Sequence, residues 1–226
     1  MKIKIEHRPA YAVAVVSLEQ GEKITAENGS MVSMNSNISV ETTSHAMGGK
    51  GLLKGLKRLV GGESWFNNIF TAQNGAGEVV IAPTLVGDIR EYNLTGNTLI
   101  IQSKSYLASG PEVSLDTQWG GARSFFAGEG LFMLKASGIG PVLFNAFGGI
   151  HEIDVNGNFI VDTGHIVAFE DKLTYRVKKV GGWFATIFSG EGLVAEFNGN
   201  GKLWIQTRNP KEFGSYVGSK LPAREN

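Results

Sequence analysis

Three glycine pairs, Gly61-Gly62, Gly120-Gly121 and Gly181-Gly182, stand about 60 residues apart in a chain of 226. A recurrence of that period constrains the fold more than any local propensity, because it marks one supersecondary unit used several times. Each pair is followed by an aromatic residue (Phe66, Phe126, Phe188) and then by an apolar alternating run. Next comes a four-residue segment of one pattern: Asn74-Gly75-Ala76-Gly77, Ser137-Gly138-Ile139-Gly140 or Asn198-Gly199-Asn200-Gly201. A second apolar run follows each time, Val79-Val80-Ile81, Val142-Leu143-Phe144 or Leu203-Trp204-Ile205. Two apolar runs around an Asn-Gly or Ser-Gly step predict a hairpin, since these residues tolerate the positive φ of a tight turn.

The other half of each unit recurs as well. Leu18-Glu19-Gln20-Gly21, Leu94-Thr95-Gly96 and Val155-Asn156-Gly157 each begin a predicted series of turn, short strand, turn and short strand. Gly29-Ser30-Met31-Val32-Ser33-Met34 aligns with Gly164-His165-Ile166-Val167-Ala168-Phe169, and Ser103 to Ala108 is the less regular counterpart in the middle unit. The expected fold class is therefore all-β, with three internal repeats (about 10–87, 88–148 and 149–209) in one domain of pseudo-threefold symmetry. A lone unit of about 60 residues buries too little surface to stand alone. By this reading 21 of the 31 glycines occupy repeated positions. Residues 44–60 are an insertion in the first unit. Residues 210–226 form a tail whose Asn209-Pro210 start predicts a short helix through Val217.

The insertion holds the one amphipathic helix pattern. Leu52, Leu53, Leu56, Leu59 and Val60 fall on one side of a 3.6-residue period, and Lys50, Lys54, Lys57 and Arg58 on the other. Three readings stand together: a crossover capping the end of the core, a subunit interface, or a contact with a partner groove or an acidic membrane surface. Leu52, Leu53, Leu56, Lys57, Arg58 and Leu59 are the candidate contact residues on the last reading.

Chemistry-bearing motifs are scarce. The chain has no cysteine, which removes disulfides, thiolate metal sites and a thiol nucleophile, and asks for no oxidising compartment. Gly128-Glu129-Gly130 and Gly190-Glu191-Gly192 lead into strand-like runs, whereas a phosphate-cradling loop opens a helix. His7, His45, His151 and His165 show no metal-ligand spacing, so no metal, cofactor or catalytic residue is assigned. An enzyme whose site is assembled from distant residues stays open as an alternative. Net charge is zero, which gives no general field toward nucleic acid. Arg176-Val177-Lys178-Lys179 is the one other basic cluster. It is read as charge protecting a sheet edge, with RNA phosphate as the other possibility. Trp65, Trp119 and Trp183 stand beside the glycine pairs and are expected to pack across the threefold axis rather than to contact a ligand. No run is long and apolar enough to cross a bilayer as a helix, and the N-terminus reads as a strand rather than a signal, so cytoplasm is the expected location.

The run Leu56-Lys57-Arg58-Leu59-Val60-Gly61-Gly62-Glu63-Ser64-Trp65-Phe66, with Phe70-Thr71-Ala72, Ile81-Ala82-Pro83, Gly87-Asp88-Ile89 and the Trp204-Ile205-Gln206-Thr207-Arg208 close, resembles the altered-inheritance-of-mitochondria family. That family is placed in the superfamily of the tryptophan RNA-binding attenuation protein. The resemblance implies a double-stranded β-helix-like fold and a tendency to form homo-oligomeric rings. It supplies no catalytic residue, and its mitochondrial member is tied to inner-membrane organisation. The expectation is a non-enzymatic, self-assembling β scaffold that binds a protein partner or a membrane-associated assembly. A small-ligand or RNA-binding ring is the alternative, with RNA the weaker inheritance.

Overall fold

A computed structural model describes residues 1–44, 66–116, 132–179 and 193–222. Strands dominate it. The first third of the chain forms β1 (Lys2–Glu6), β2 (Val13–Leu18), β3 (Lys23–Glu27), β4 (Met31–Met34), β5 (Ile38–Ser44), β6 (Phe66–Ala72) and β7 (Gly77–Ile81). The middle forms β8 (Ile89–Gln102), β9 (Tyr106–Ser109), β10 (Val113–Asp116) and β11 (Met133–Asn145). The last part forms β12 (Ile150–Asp162), β13 (Ile166–Glu170), β14 (Thr174–Lys179), β15 (Leu193–Gln206) and a helix, α1 (Pro210–Gly218).

One pairing plan governs all three sets of strands. In the middle set β8 pairs antiparallel with β11 from end to end, and β11 carries β9 and β10 on its other edge. In the last set β12 pairs with β15, which carries β13 and β14. The first set splits each long strand in two: β2 pairs with β7 and β3 with β6, while β4 lies on β7 and β5 on β6. Even the irregularity recurs. Met31 and Ser33 lie opposite Ile81 and Val80, Tyr106 and Ala108 opposite Phe144 and Leu143, and Ile166 and Ala168 opposite Ile205 and Trp204. In each case one extra residue bulges between the two pairs. The sets join strand to strand, β9 to β3 and β13 to β8.

The glycine-marked segments behave differently from the hairpin turns predicted for them. Ser137-Gly138-Ile139-Gly140 lies inside β11 and Asn198-Gly199-Asn200-Gly201 inside β15, and both strands run on through them. Gly96 and Gly157 likewise sit within β8 and β12. In the first set the segment does separate two strands, yet β6 and β7 pair with other strands and not with each other. The physical reason is visible at Gly138, whose φ is +119°. A Cβ there would stand 2.1 Å from the Glu112 carbonyl oxygen, so glycine admits the neighbouring chain while the strand bends. At Gly199, with φ +132°, the Lys172 carbonyl oxygen approaches in the same way at 2.7 Å. These glycines lie inside strands of 13 and 14 residues, both of which stay within the eleven-stranded sheet.

The core follows from that bending. One cluster includes Val16, Ile24, Phe70, Ile81 and Leu107; a second Leu94, Tyr106, Phe144, Val167 and Trp204; a third Val155, Ile166, Phe169, Phe197 and Leu203. Phe169 meets Phe197 at 5.1 Å between ring centres and Tyr175 at 5.2 Å, both edge-on. The C-terminal helix forms as expected. Asn209 caps it by accepting from the backbone N–H groups of Lys211 (3.0 Å) and Glu212 (3.4 Å), and Pro210 occupies the first turn. It touches the β body through Phe213, whose ring lies 5.1 Å from that of Phe147.

Candidate functional site

The candidate contact residues Leu52, Leu53, Leu56, Lys57, Arg58 and Leu59 lie outside the described residues, as do the glycine pairs, the two Gly-Glu-Gly segments, Trp65, Trp119 and Trp183. The basic strand is described. β14 pairs only with β15 there, and Glu196 on β15 accepts from Arg176 Nε at 2.6 Å and Lys178 Nζ at 3.1 Å. Hydrogen bonds from Arg176 and then Lys178 hold that carboxyl below its ordinary range. Two of the three basic residues of the cluster are thus matched by an acid on the neighbouring strand. Of the histidines, His165 places Nδ1 2.7 Å from the Gln206 carbonyl oxygen. Among the described residues no three His, Asp or Glu side chains converge on a point, and no helix is long and apolar enough to cross a membrane.

A cleft of about 670 Å³ opens where strand ends from all three sets meet. Glu27 ends β3, Gln102 ends β8, Asn145 ends β11 and Gln206 ends β15, and Leu85 and Phe147 supply apolar wall. Gln206 is fully engaged: its Oε1 accepts from Phe147 N at 2.9 Å and its Nε2 donates to the Gly164 carbonyl at 2.8 Å. Ser105 Oγ donates to Gln102 Oε1 at 3.4 Å. Asn145 differs, because its buried Oδ1 has no hydrogen-bond partner among the described residues. Such a group carries a desolvation cost of about 1–3 kcal/mol that a donor on a ligand or a water would relieve. Burial also pushes the Glu27 carboxyl up to about 7.

That carboxyl gives the fold a pH dependence with a definite sign. A folded-state pKa above the unfolded value means that the folded chain binds more protons between about 4.5 and 7, so stability falls as pH rises through that window. Glu27→Gln is expected to flatten this fall and to make the protein about 1–2 kcal/mol more stable than the unmodified chain at pH 8, a figure reduced for the group's partial access to solvent. Thermal melts at pH 5 and pH 8 check it.

A second polar cluster is built for cohesion. The Glu152 carboxylate on β12 accepts from Arg90 Nη2 at 2.7 Å, from Trp204 Nε1 at 2.8 Å and from Lys202 Nζ. Lys202, then Arg90 and Trp204, hold this carboxyl at about 2 against the opposing effect of burial. The cluster ties β8, β12 and β15 together. Both cations are matched by carboxylates.

The surface feature that sequence reasoning missed is a pair of strand edges that, among the described residues, have no strand beside them. β4 ends the four-stranded sheet and β12 ends the eleven-stranded one. On β4, Met31, Val32 and Met34 are 43 %, 58 % and 42 % exposed, and on the C-terminal half of β12, Phe159 and Ile160 are 37 % and 54 % exposed. Their counterparts in the pairing plan, Tyr106–Ser109 and Ile166–Phe169 for β4, Leu99 and Ile100 for β12, are buried. The signal was present in the alignment of Gly29–Met34 with Gly164–Phe169, but nothing local says which copy is covered.

Comparison with known proteins agrees with the fold. Residues 3–208 match the family described as mitochondrial biogenesis AIM24. An uncharacterised protein of Streptococcus pyogenes serotype M6 is 28 % identical over 232 aligned positions, covering 100 % of this chain and 93 % of its own. An X-ray crystal structure of a Streptococcus pyogenes protein superposes with a TM-score of 0.79 at 28 % identity, over 97 % of this chain and 99 % of that one.

Proposed function

The chain belongs to the mitochondrial biogenesis AIM24 family, and from that premise we propose that it is a cytoplasmic, non-enzymatic β scaffold that self-assembles and presents its assembled surface to a protein partner or a membrane-associated assembly. The observation that carries this reading is the pair of bare apolar edges on β4 and β12. An exposed apolar strand edge is a template for another strand, and soluble proteins blunt such edges unless they are used. One of the further edges, at β14, is blunted in that way, by Arg176 and Lys178 against Glu196, so the contrast lies within one molecule. Matched cations at β14 and around Glu152 also argue against an RNA-binding surface.

Sedimentation velocity over a range of concentrations tests the reading. Species at multiples of the 24.3 kDa chain mass are expected, and a single species at the chain mass throughout would overturn it. A small-ligand reading is favoured by one specific observation, the unpartnered Asn145 Oδ1 in the cleft beside Glu27. It predicts a ligand-dependent rise in melting temperature that Asn145→Leu abolishes.

A further inference from the structure

We propose that β4 of one copy pairs antiparallel with the C-terminal half of β12 of the next copy, placing Ser33 opposite Val161 and Met34 opposite Ile160. The inference rests on the self-assembly reading and names the surface that performs it.

The register is taken from pairings already present in the chain. β13 meets β8 with Ala168 opposite Ile101 and Phe169 opposite Ile100, and β9 meets β3 with Ala108 opposite Ala26 and Ser109 opposite Thr25. The shared bulge fixes which residues of β4 correspond: Ser33 stands on β7 as Ala168 stands on β15 and Ala108 on β11, and Met34 stands as Phe169 and Ser109. On the other side, β8 and β12 each lead into a 3-10 turn, at Ser103–Ser105 and Thr163–His165. Counting back from that turn, Val161 corresponds to Ile101 and Ile160 to Ile100. The plan therefore contains three donors of the β9 type and three acceptors of the β8 type. Two of these junctions are made inside the chain. The third leaves one of each unused, for β4 pairs only with β7 and β12 only with β15 among the described residues.

A second copy fits these edges better than any other partner, because each exposed edge is the missing half of a junction that this same sequence makes twice. The contact joins two different surfaces. It is heterologous, and repetition of one rotation closes it into a ring or extends it as a filament. Pairing returns the edge N–H and C=O groups to a ladder and covers Met34, Phe159 and Ile160.

The absence of cysteine makes a direct test available. Residues directly opposite in an antiparallel pair have Cα atoms about 4.5–5.5 Å apart, within disulfide reach. Met34→Cys and Ile160→Cys chains, mixed and treated with a mild oxidant, are expected to give a covalent dimer that neither gives alone. The chain carrying both cysteines is expected to give a ladder of multiples of the chain mass. No dimer in the mixture, or a doubly substituted chain that closes only on itself, would overturn the proposal. Ile160→Lys supplies the second arm: a fall of the sedimenting mass to that of one chain, with a melting temperature equal to that of the unmodified chain diluted to one chain mass. If the mass is unchanged, this surface is wrong while self-assembly stands. If the unmodified chain never exceeds one chain mass, both readings fall.

Discussion

Replacing Trp204 with alanine is expected to destabilise the protein by about 3–5 kcal/mol, the range for emptying a buried tryptophan site. For a chain of this size that lowers the melting temperature by roughly 10 °C or more. Trp204 is 1 % exposed, and its ring meets Tyr92 at 5.4 Å and Phe144 at 5.5 Å, both edge-on. These three rings lie on β15, β8 and β11, so the cavity would open where the last set joins the middle one. Its Nε1 also donates to Glu152, which adds a polar component. Trp204→Phe separates the two contributions. It keeps most of the ring, loses the donor, and is expected to cost about 1–2 kcal/mol because Arg90 and Lys202 still hold the carboxylate. Equal losses in both variants, measured by denaturant titration, would mean that packing contributes little here.

Gly138→Ala is the second large effect, at about 3 kcal/mol. Two costs add: a φ of +119°, which side-chain-bearing residues rarely adopt, and a methyl group placed 2.1 Å from a backbone oxygen. Gly157→Ala is the control. Its φ is +96° but no heavy atom lies within 4 Å of the added Cβ, so only the backbone strain applies, about 1–2 kcal/mol. The excess at Gly138 measures the close approach of the β10 side of the sheet. Two equal losses would remove the reason given for that glycine.

The glycines also show how far local sequence reasoning reaches. Their spacing was legible and carried the all-β class, while Asn209-Pro210 announced the C-terminal helix. What those positions do was not legible. An Asn-Gly step between two apolar runs looks the same whether the chain reverses or bends and continues, and the choice at Gly138 is made by the carbonyl of Glu112, 26 positions away in sequence. The cleft was hidden for a similar reason. Asn145 and Gln206 stand one repeat apart, and Glu27 and Gln102 end corresponding strands, but the period alone does not say that these four strand ends converge. The alignment of Gly29–Met34 with Gly164–Phe169 matches two segments that the structure lays on their neighbouring strands in one register, each with a bulge. Periodicity is blind to the step after that, since Met31-Val32 reads as core whether or not a strand covers it. The bare edges become visible only once the two covered counterparts are seen.

Amide hydrogen exchange of the unmodified chain, at a concentration where it sediments above one chain mass, reaches the central claim most directly. The outward-facing amides of residues 31–34 and 159–161 are expected to exchange as slowly as those of Tyr106–Ser109 and Ile166–Phe169, and to lose that protection together in the Ile160→Lys variant. Fast, solvent-like exchange at both edges in the assembled protein, with the β9 and β13 amides still protected, would contradict the account.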